Sequence, residues 1–320
     1  MVPTGDREQW HDGDPFSGAI RGRVLHGRGA CDMKAGVAAN LAVLRAILVS
    51  GVTLERPLAI HSVISEEDGG LGAFGTMLRG HRGDAAVLTE PTSNRIVTAC
   101  AGALTFALAI HGRAAHGSTR LQGMSAFDAF LPVNAALSAL EAERNARPDP
   151  RFRTTTLPYP ISIGRVRSGD WASSVPDLLV AEGRMGVQLG EHPAAARAAL
   201  ERAVGDACAA DPWLRDYPAV VSWPGGQFAS GHIADDHAFI DEVSNAITTL
   251  SGRAAPERTA APYGSDLRLY SGLGGIPTLH FGPGDVNFAH APREQVDLDE
   301  LFAVARALTL LAVRRCGAHL

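Results

Sequence analysis

Hydrophobic and polar positions along this chain follow two periods, and the switches between them divide the sequence into elements. Short apolar runs at 58–64, 85–89 and 276–281 have the length and content of buried strands. Longer stretches at 33–48, 71–79, 235–250 and 298–314 read as helices; the first is dense in Ala, Leu and Val with almost no charge. This alternation predicts an α/β fold with helices on both faces of a mostly parallel sheet. Between 98 and 226 the order changes to strand 103–110, helix 124–141, strands 161–166 and 178–187, helix 193–209 and strand 219–223. That is β-α-β-β-α-β, the order of a ferredoxin-like unit. The expected organisation is therefore a principal domain in two parts, 1–97 and 227–320, with an inserted domain at 98–226.

Composition narrows the partners. A chain of 320 residues is long enough for two ordinary domains, and 46% hydrophobic with 20% charged residues describes a globular protein. A net charge of -5 without any Lys/Arg run argues against nucleic acid. The longest apolar stretches, 37–49 and 301–313, carry charges or fall short of a span, so no membrane partner is expected. Cys31, Cys100, Cys208 and Cys316 are far apart and match neither a zinc knuckle nor a small disulfide framework. With no signal-peptide pattern at the start, a reducing, cytoplasmic home is expected.

Acidic residues gather where expected elements end. Glu66 and Glu67 follow the run 58–64, and Glu90 follows 85–89 with Pro91 holding it extended. Asp32 opens the helix 33–48 from a segment rich in Gly and Ala, and His290 sits in a late loop. Taken singly, Asp32 and the Glu66–Glu67 pair read equally well as helix N-caps, and Glu90 as a solvated loop acid. Taken together, strand ends of an α/β sheet converge on one crevice, and carboxylates crowded there without a Lys or Arg cluster repel one another. A divalent cation such as zinc relieves that repulsion and keeps positions open for water. Adjacent acids at a strand end point in different directions, so one can bind metal while the other faces water. This pattern points to a metallohydrolase with a carboxylate base. HExxH and GxSxG are both absent.

Five segments then carry a resemblance: GRGACDMKAG at 27–36, SEEDGG at 65–70, EPT at 90–92, HGRAAHGS at 111–118, and FGPG with AHAPRE at 281–284 and 289–294. In this order they resemble the acetylornithine deacetylase and succinyl-diaminopimelate desuccinylase family of zinc-dependent amidohydrolases and exopeptidases. The resemblance implies a catalytic α/β domain with an inserted dimerisation lid, a homodimer, and two zinc ions per subunit, with cobalt or manganese as alternatives. It implies that Asp32 bridges both metals, Glu66 is the general base, Glu67 and His290 complete one site, and Glu90 serves the other. His116 matches a lid histidine that reaches the partner's site to stabilise the tetrahedral intermediate.

Three departures qualify the match. Ser125 and Ser174 stand where the family commonly has asparagine, so the substrate pocket need not be that of the desuccinylases. Arg184, on an expected lid strand, could receive a substrate carboxylate or form a structural ion pair. A Gly-His-x-Asp segment expected just ahead of Val2-Pro3 is missing, which implies that Met1 is an internal start. As it stands, one site keeps Asp32, Glu67 and His290, and the other only Asp32 and Glu90; if instead Met1 is the true start and two zinc ions bind tightly, another residue such as His11 or His26 supplies the missing ligand. The expected activity is deacylation of a small N-acylated amine or amino acid. A carboxypeptidase or dipeptidase is the alternative, and an inactive remnant that only dimerises or binds ligand is the alternative of another class.

Overall fold

The structure is a computed structural model describing residues 2–10 and 13–319. The chain forms two compact units: Met1–Ala99 with His232–Ala260 and Leu269–Leu320, and Cys100–Gly231 with Ala261–Arg268. Residues 261–268 join the second unit, which the local pattern did not reveal.

In the first unit, strand Thr278–His280 runs parallel to Ala86–Leu88 and antiparallel to Ile96–Cys100. Gly231–His232 and Arg258–Ala261 add to the far side of Ile96–Cys100. Helices Ala35–Ser50 and Ala238–Ser251 each pack on Leu298–Cys316. Their apolar faces join Ala39, Val43, Ile47, Phe239, Val243, Leu308 and Leu311 to Ile96, Leu279 and Phe281 of the sheet region. The run Ala30–Ser50 is long and apolar enough to cross a bilayer by composition. Ala39, Val43 and Ile47 lie in the core, so it is placed here as the core helix of an α/β body. Val37, Leu41, Leu48 and Val49 remain exposed on it.

The parallel pairing of Thr278–His280 with Ala86–Leu88 positions the candidate site. Because both run the same way, the segments leaving their C-terminal ends emerge side by side. Gly282 sits so close to Thr89 and Glu90 that an added Cβ would lie 2.3 Å from one carbonyl oxygen and 2.4 Å from the other. Gly36 crowds Thr89 from the helix side, where a Cβ would meet its carbonyl oxygen at 2.1 Å. Both glycines are there for close backbone approach.

The expected strand 58–64 forms no ladder among the described residues. An apolar run becomes a strand only when a neighbour completes its hydrogen bonds. Here Val63 packs against the cluster of Ala73, Met77, Leu269, Tyr270 and Ile276, while Ile64 is exposed.

The second unit is built around strands Gly102–His111, Ile161–Ser168, Leu178–Val187 and Val220–Ser222. Gly102–His111 lies between Leu178–Val187 and Val220–Ser222, and Ile161–Ser168 is the outer neighbour of Leu178–Val187, with every one of these pairs antiparallel. Helices Ala126–Arg144 and Pro193–Ala210 bury Val133, Leu137, Leu200 and Val204 with the alternating Leu104, Phe106, Leu108 and Ile110 of the first strand. That strand's period of two, buried on every even residue from Gly102 to Ile110, is what makes it a one-faced sheet strand.

Candidate metal centre

Asp32, Glu67 and His290 are brought together in the first unit, their ligand atoms all within 4.8 Å of one another. Nε2 of His290 lies 3.1 Å from Oδ2 of Asp32 and 3.4 Å from Oε2 of Glu67. Each side chain arrives by a local irregularity. Asp32 has non-helical backbone angles (φ -114°, ψ 97°) ahead of the helix Ala35–Ser50. That helix begins without a side-chain cap, and so does Leu71–Leu78, so neither Asp32 nor Glu66 nor Glu67 is an N-cap. Glu67 lies in a turn opened by Ser65, and both Ser65 (φ 61°) and His290 (φ 58°) adopt the left-handed region. For residues with a Cβ that conformation is uncommon and concentrates at functional sites.

The electrostatics match a cation site. Hydrogen bonds to Asp32 and then to Glu67 push the His290 imidazole up to about 10, against the opposing cost of burial. A proton held between two carboxylates takes the place that a divalent ion fills. Two carboxylates and one imidazole, partly open to solvent, are a donor set suited to a catalytic zinc site with positions left for water and substrate. The residues present therefore fit a divalent metal.

Glu66, the next residue along, is half-buried and outside the three-ligand group. Glu90 is buried at the end of Ala86–Leu88, also outside that group. Its loop is fixed by Thr92, whose Oγ1 accepts from the Gly282 N–H at 3.2 Å. His26, in the strand Val24–His26, lines a cavity of about 310 Å³ with Trp10, Asp14, Pro292 and Glu294. It is not part of the metal-ligand group, and His11 lies outside the described residues.

The remaining candidates lie in the second unit. His116 and Ser174 face each other in an isolated antiparallel bridge. Nδ1 of His116 accepts from the Ser118 N–H at 3.2 Å, capping the 3-10 helix Gly117–Gln122. An Nδ1 that accepts from an amide puts the ring proton of the neutral imidazole on Nε2. Ser125 caps the helix Ala126–Arg144, its Oγ accepting from the Asp128 N–H at 3.2 Å. Arg184 is in no ion pair found among the described residues: its Nη2 donates to the Pro262 carbonyl at 2.9 Å, and burial lowers its pKa. Sequence reasoning missed Glu294 and Arg28, a buried ion pair beside Asp32. The only signal was an acid four residues after His290 in the AHAPRE segment.

The model of Peptidase family M20/M25/M40 matches residues 1–314. The chain is 26% identical to N-formyl-4-amino-5-aminomethyl-2-methylpyrimidine deformylase of Halalkalibacterium halodurans, covering 99% of this chain and 77% of that one. It is 27% identical to acetylornithine deacetylase of Shigella sonnei, over 89% of this chain and 70% of that one. Among solved structures, an M20 family metallo-carboxypeptidase from Sulfolobus solfataricus superposes with a TM-score of 0.71 at 15% identity, covering 98% of this chain and 82% of the other. That last likeness speaks for the fold.

Proposed function

The chain belongs to peptidase family M20/M25/M40, and on that premise we propose that it is a metal-dependent hydrolase of a linear amide bond in an N-acyl amino acid or similar small N-acylated amine. The observation that carries this reading is the convergence of Asp32, Glu67 and His290 within 4.8 Å. These three would hold one divalent ion, with zinc supported by the donor set, and Asp32 with Glu90 would serve a second. When bound, such ions polarise an amide carbonyl and lower the pKa of water.

Glu66 is the proton carrier in this reading. Its carboxylate takes a proton from the attacking water and hands it to the leaving nitrogen as the C–N bond breaks; the water oxygen stays with the acid product. His116, with its Nε2–H directed away from its cap, donates to the negative charge that develops on the carbonyl oxygen. We assign that contribution to a homodimer formed through the second unit. Arg184 receives a carboxylate of the substrate, and Ser125 and Ser174 bound the same pocket. A deformylase and a deacetylase among the relatives fit acyl removal, and a probable carboxypeptidase of Aspergillus niger, 28% identical, fits peptide cleavage as the second reading. A net charge of -5 and four buried cysteines in no disulfide among the described residues support a small-molecule enzyme of a reducing cytoplasm, without nucleic-acid or membrane partners.

The test is a zinc-loaded protein assayed in parallel on N-formyl, N-acetyl and N-succinyl amines and amino acids and on dipeptides. An N-acyl compound should be the best substrate, with activity lost to chelator and restored by zinc. Faster dipeptide cleavage would make it a peptidase of the same chemistry. Neither metal uptake nor hydrolysis would leave only a binding role.

A further inference from the structure

Glu294 is 1% exposed, and its two carboxylate oxygens have separate partners. Oε1 accepts from the Cys31 N–H at 3.0 Å and from the Asp32 N–H at 2.9 Å. Oε2 accepts from Nη1 of Arg28 at 2.5 Å. Arg28 is equally sealed in: its Nη2 donates to the Pro3 carbonyl at 3.0 Å, and its guanidinium lies 5.1 Å from the centre of the Trp10 ring. The Glu294 carbonyl also accepts from the Gly27 N–H at 3.0 Å. One residue thus ties the loop that carries His290 to the turn that carries Asp32.

Asp32 needs such a tie because its backbone is not helical and no regular ladder holds it. Two N–H groups aimed at one charged oxygen make strong, directional bonds, and losing that acceptor would leave the buried Cys31 amide and the part-buried Asp32 amide without it. The Arg28–Glu294 pair itself adds little net stability, since desolvation of both charges offsets their attraction. Its effect is orientation. We propose that Glu294, through the oxygen that accepts from the Cys31 and Asp32 amides, is a positioning residue that sets the direction in which the Asp32 carboxylate enters the metal centre, and with it the metal affinity. This rests on the metal-dependent reading above.

Two substitutions separate the amide clamp from the charge. Glu294→Gln keeps an oxygen within reach of both amides but turns an NH2 toward Nη1 of Arg28, so its cost falls on folding stability and not on the clamp. Glu294→Asp keeps the charge and draws the carboxylate back by one methylene. On the full chain, zinc affinity is measured by chelator competition, cobalt-site geometry by the visible absorption of the Co²⁺-loaded protein, and folding by near-UV circular dichroism. Glu294→Asp should weaken zinc by ~10–100-fold, as loss of a partner behind a ligand does. It should also alter the cobalt bands while the near-UV spectrum is kept. Glu294→Gln should stay closer to the parent on both counts. Parent-like zinc affinity and cobalt bands in Glu294→Asp would overturn the proposal. So would a larger loss in Glu294→Gln than in Glu294→Asp. If Glu294→Asp does not fold, Glu294→Gln decides alone: near-parent affinity upholds the clamp and a large loss refutes it. A parent chain that takes up neither ion overturns the hydrolase reading and this inference together. That result differs from a parent that binds zinc while every variant binds it alike.

Discussion

Nε2 of His290 stands 3.1 Å from Oδ2 of Asp32, joining a loop near the end of the chain to a glycine-rich turn near its start. The contact draws an imidazole about half exposed to solvent onto a carboxylate, so it costs little packing to remove. His290→Ala should therefore lower the melting temperature of the metal-free protein only modestly, by the loss of a half-exposed imidazolium between two carboxylates. Its zinc affinity should fall by more than the ~10–100-fold typical of losing a partner behind a ligand. Competition with a coloured chelator reads the affinity directly. Unchanged zinc binding in a folded variant would remove His290 from the ligand set.

Glu66 and Glu67 are neighbours with different surroundings: Glu67 belongs to the three-ligand group and Glu66 does not. Glu66→Gln should keep its metal and lose ~10²–10⁴ in kcat, the usual contribution of a general acid–base. Glu67→Gln should lose metal first. Metal analysis of both variants alongside kcat decides the matter, and loss of metal in Glu66→Gln alone would reverse the two roles.

Much of this arrangement can be read before any coordinates, for physical reasons that differ from place to place. The second unit's strands and helices are legible because Gly102–His111 alternates with period two and Pro193–Ala210 begins with a capping His192 and a proline. Asp32, Glu67 and His290 stand out because small or turn-forming residues flank each one. The run 58–64 misleads, since apolarity marks burial and a ladder needs a neighbour that no local window shows. Ser125 shows a related limit: its Oγ caps the helix Ala126–Arg144, a task that its place two residues beyond Gly123 does not announce. Arg28 with Glu294 was illegible because an ion pair between distant segments leaves no periodic trace.

His116 has two candidate tasks, a helix cap and a donor to the reacting carbonyl, and one substitution separates them. Asparagine is as good a capping residue as any, so His116→Asn should keep the 3-10 helix Gly117–Gln122 folded. If the imidazole acts on substrate, that variant should still lose most of its kcat while holding its metal and its oligomeric state. Mixing His116→Asn with Glu66→Gln should then restore part of the rate, because one active site in the mixed dimer regains both groups. Wild-type kcat in His116→Asn would make the cap its whole role. No recovery on mixing would place its action within its own subunit.

Asp266, in the second unit, is 2% exposed, and neither of its oxygens has a hydrogen-bond partner among the described residues. Burial raises its carboxyl from 3.8 to about 6, with Arg268 pulling the other way. The sign is opposite to that of an ordinary salt-bridged acid. Because the folded state holds this proton more tightly than the unfolded chain, stability is greatest below the unfolded value near 4. It falls as pH rises toward 6 and is level above that. The ionised carboxylate then costs the fold on the order of 2–3 kcal/mol. Asp266→Asn has nearly the same shape and no charge to bury. It should be about as stable as the parent in urea at pH 4 and more stable than the parent at pH 8, by an amount approaching that cost. An equal change at both pH values would show that Asp266 is neutral throughout. A loss at pH 8 would mean that its charge serves the fold after all, through a cation drawn to it.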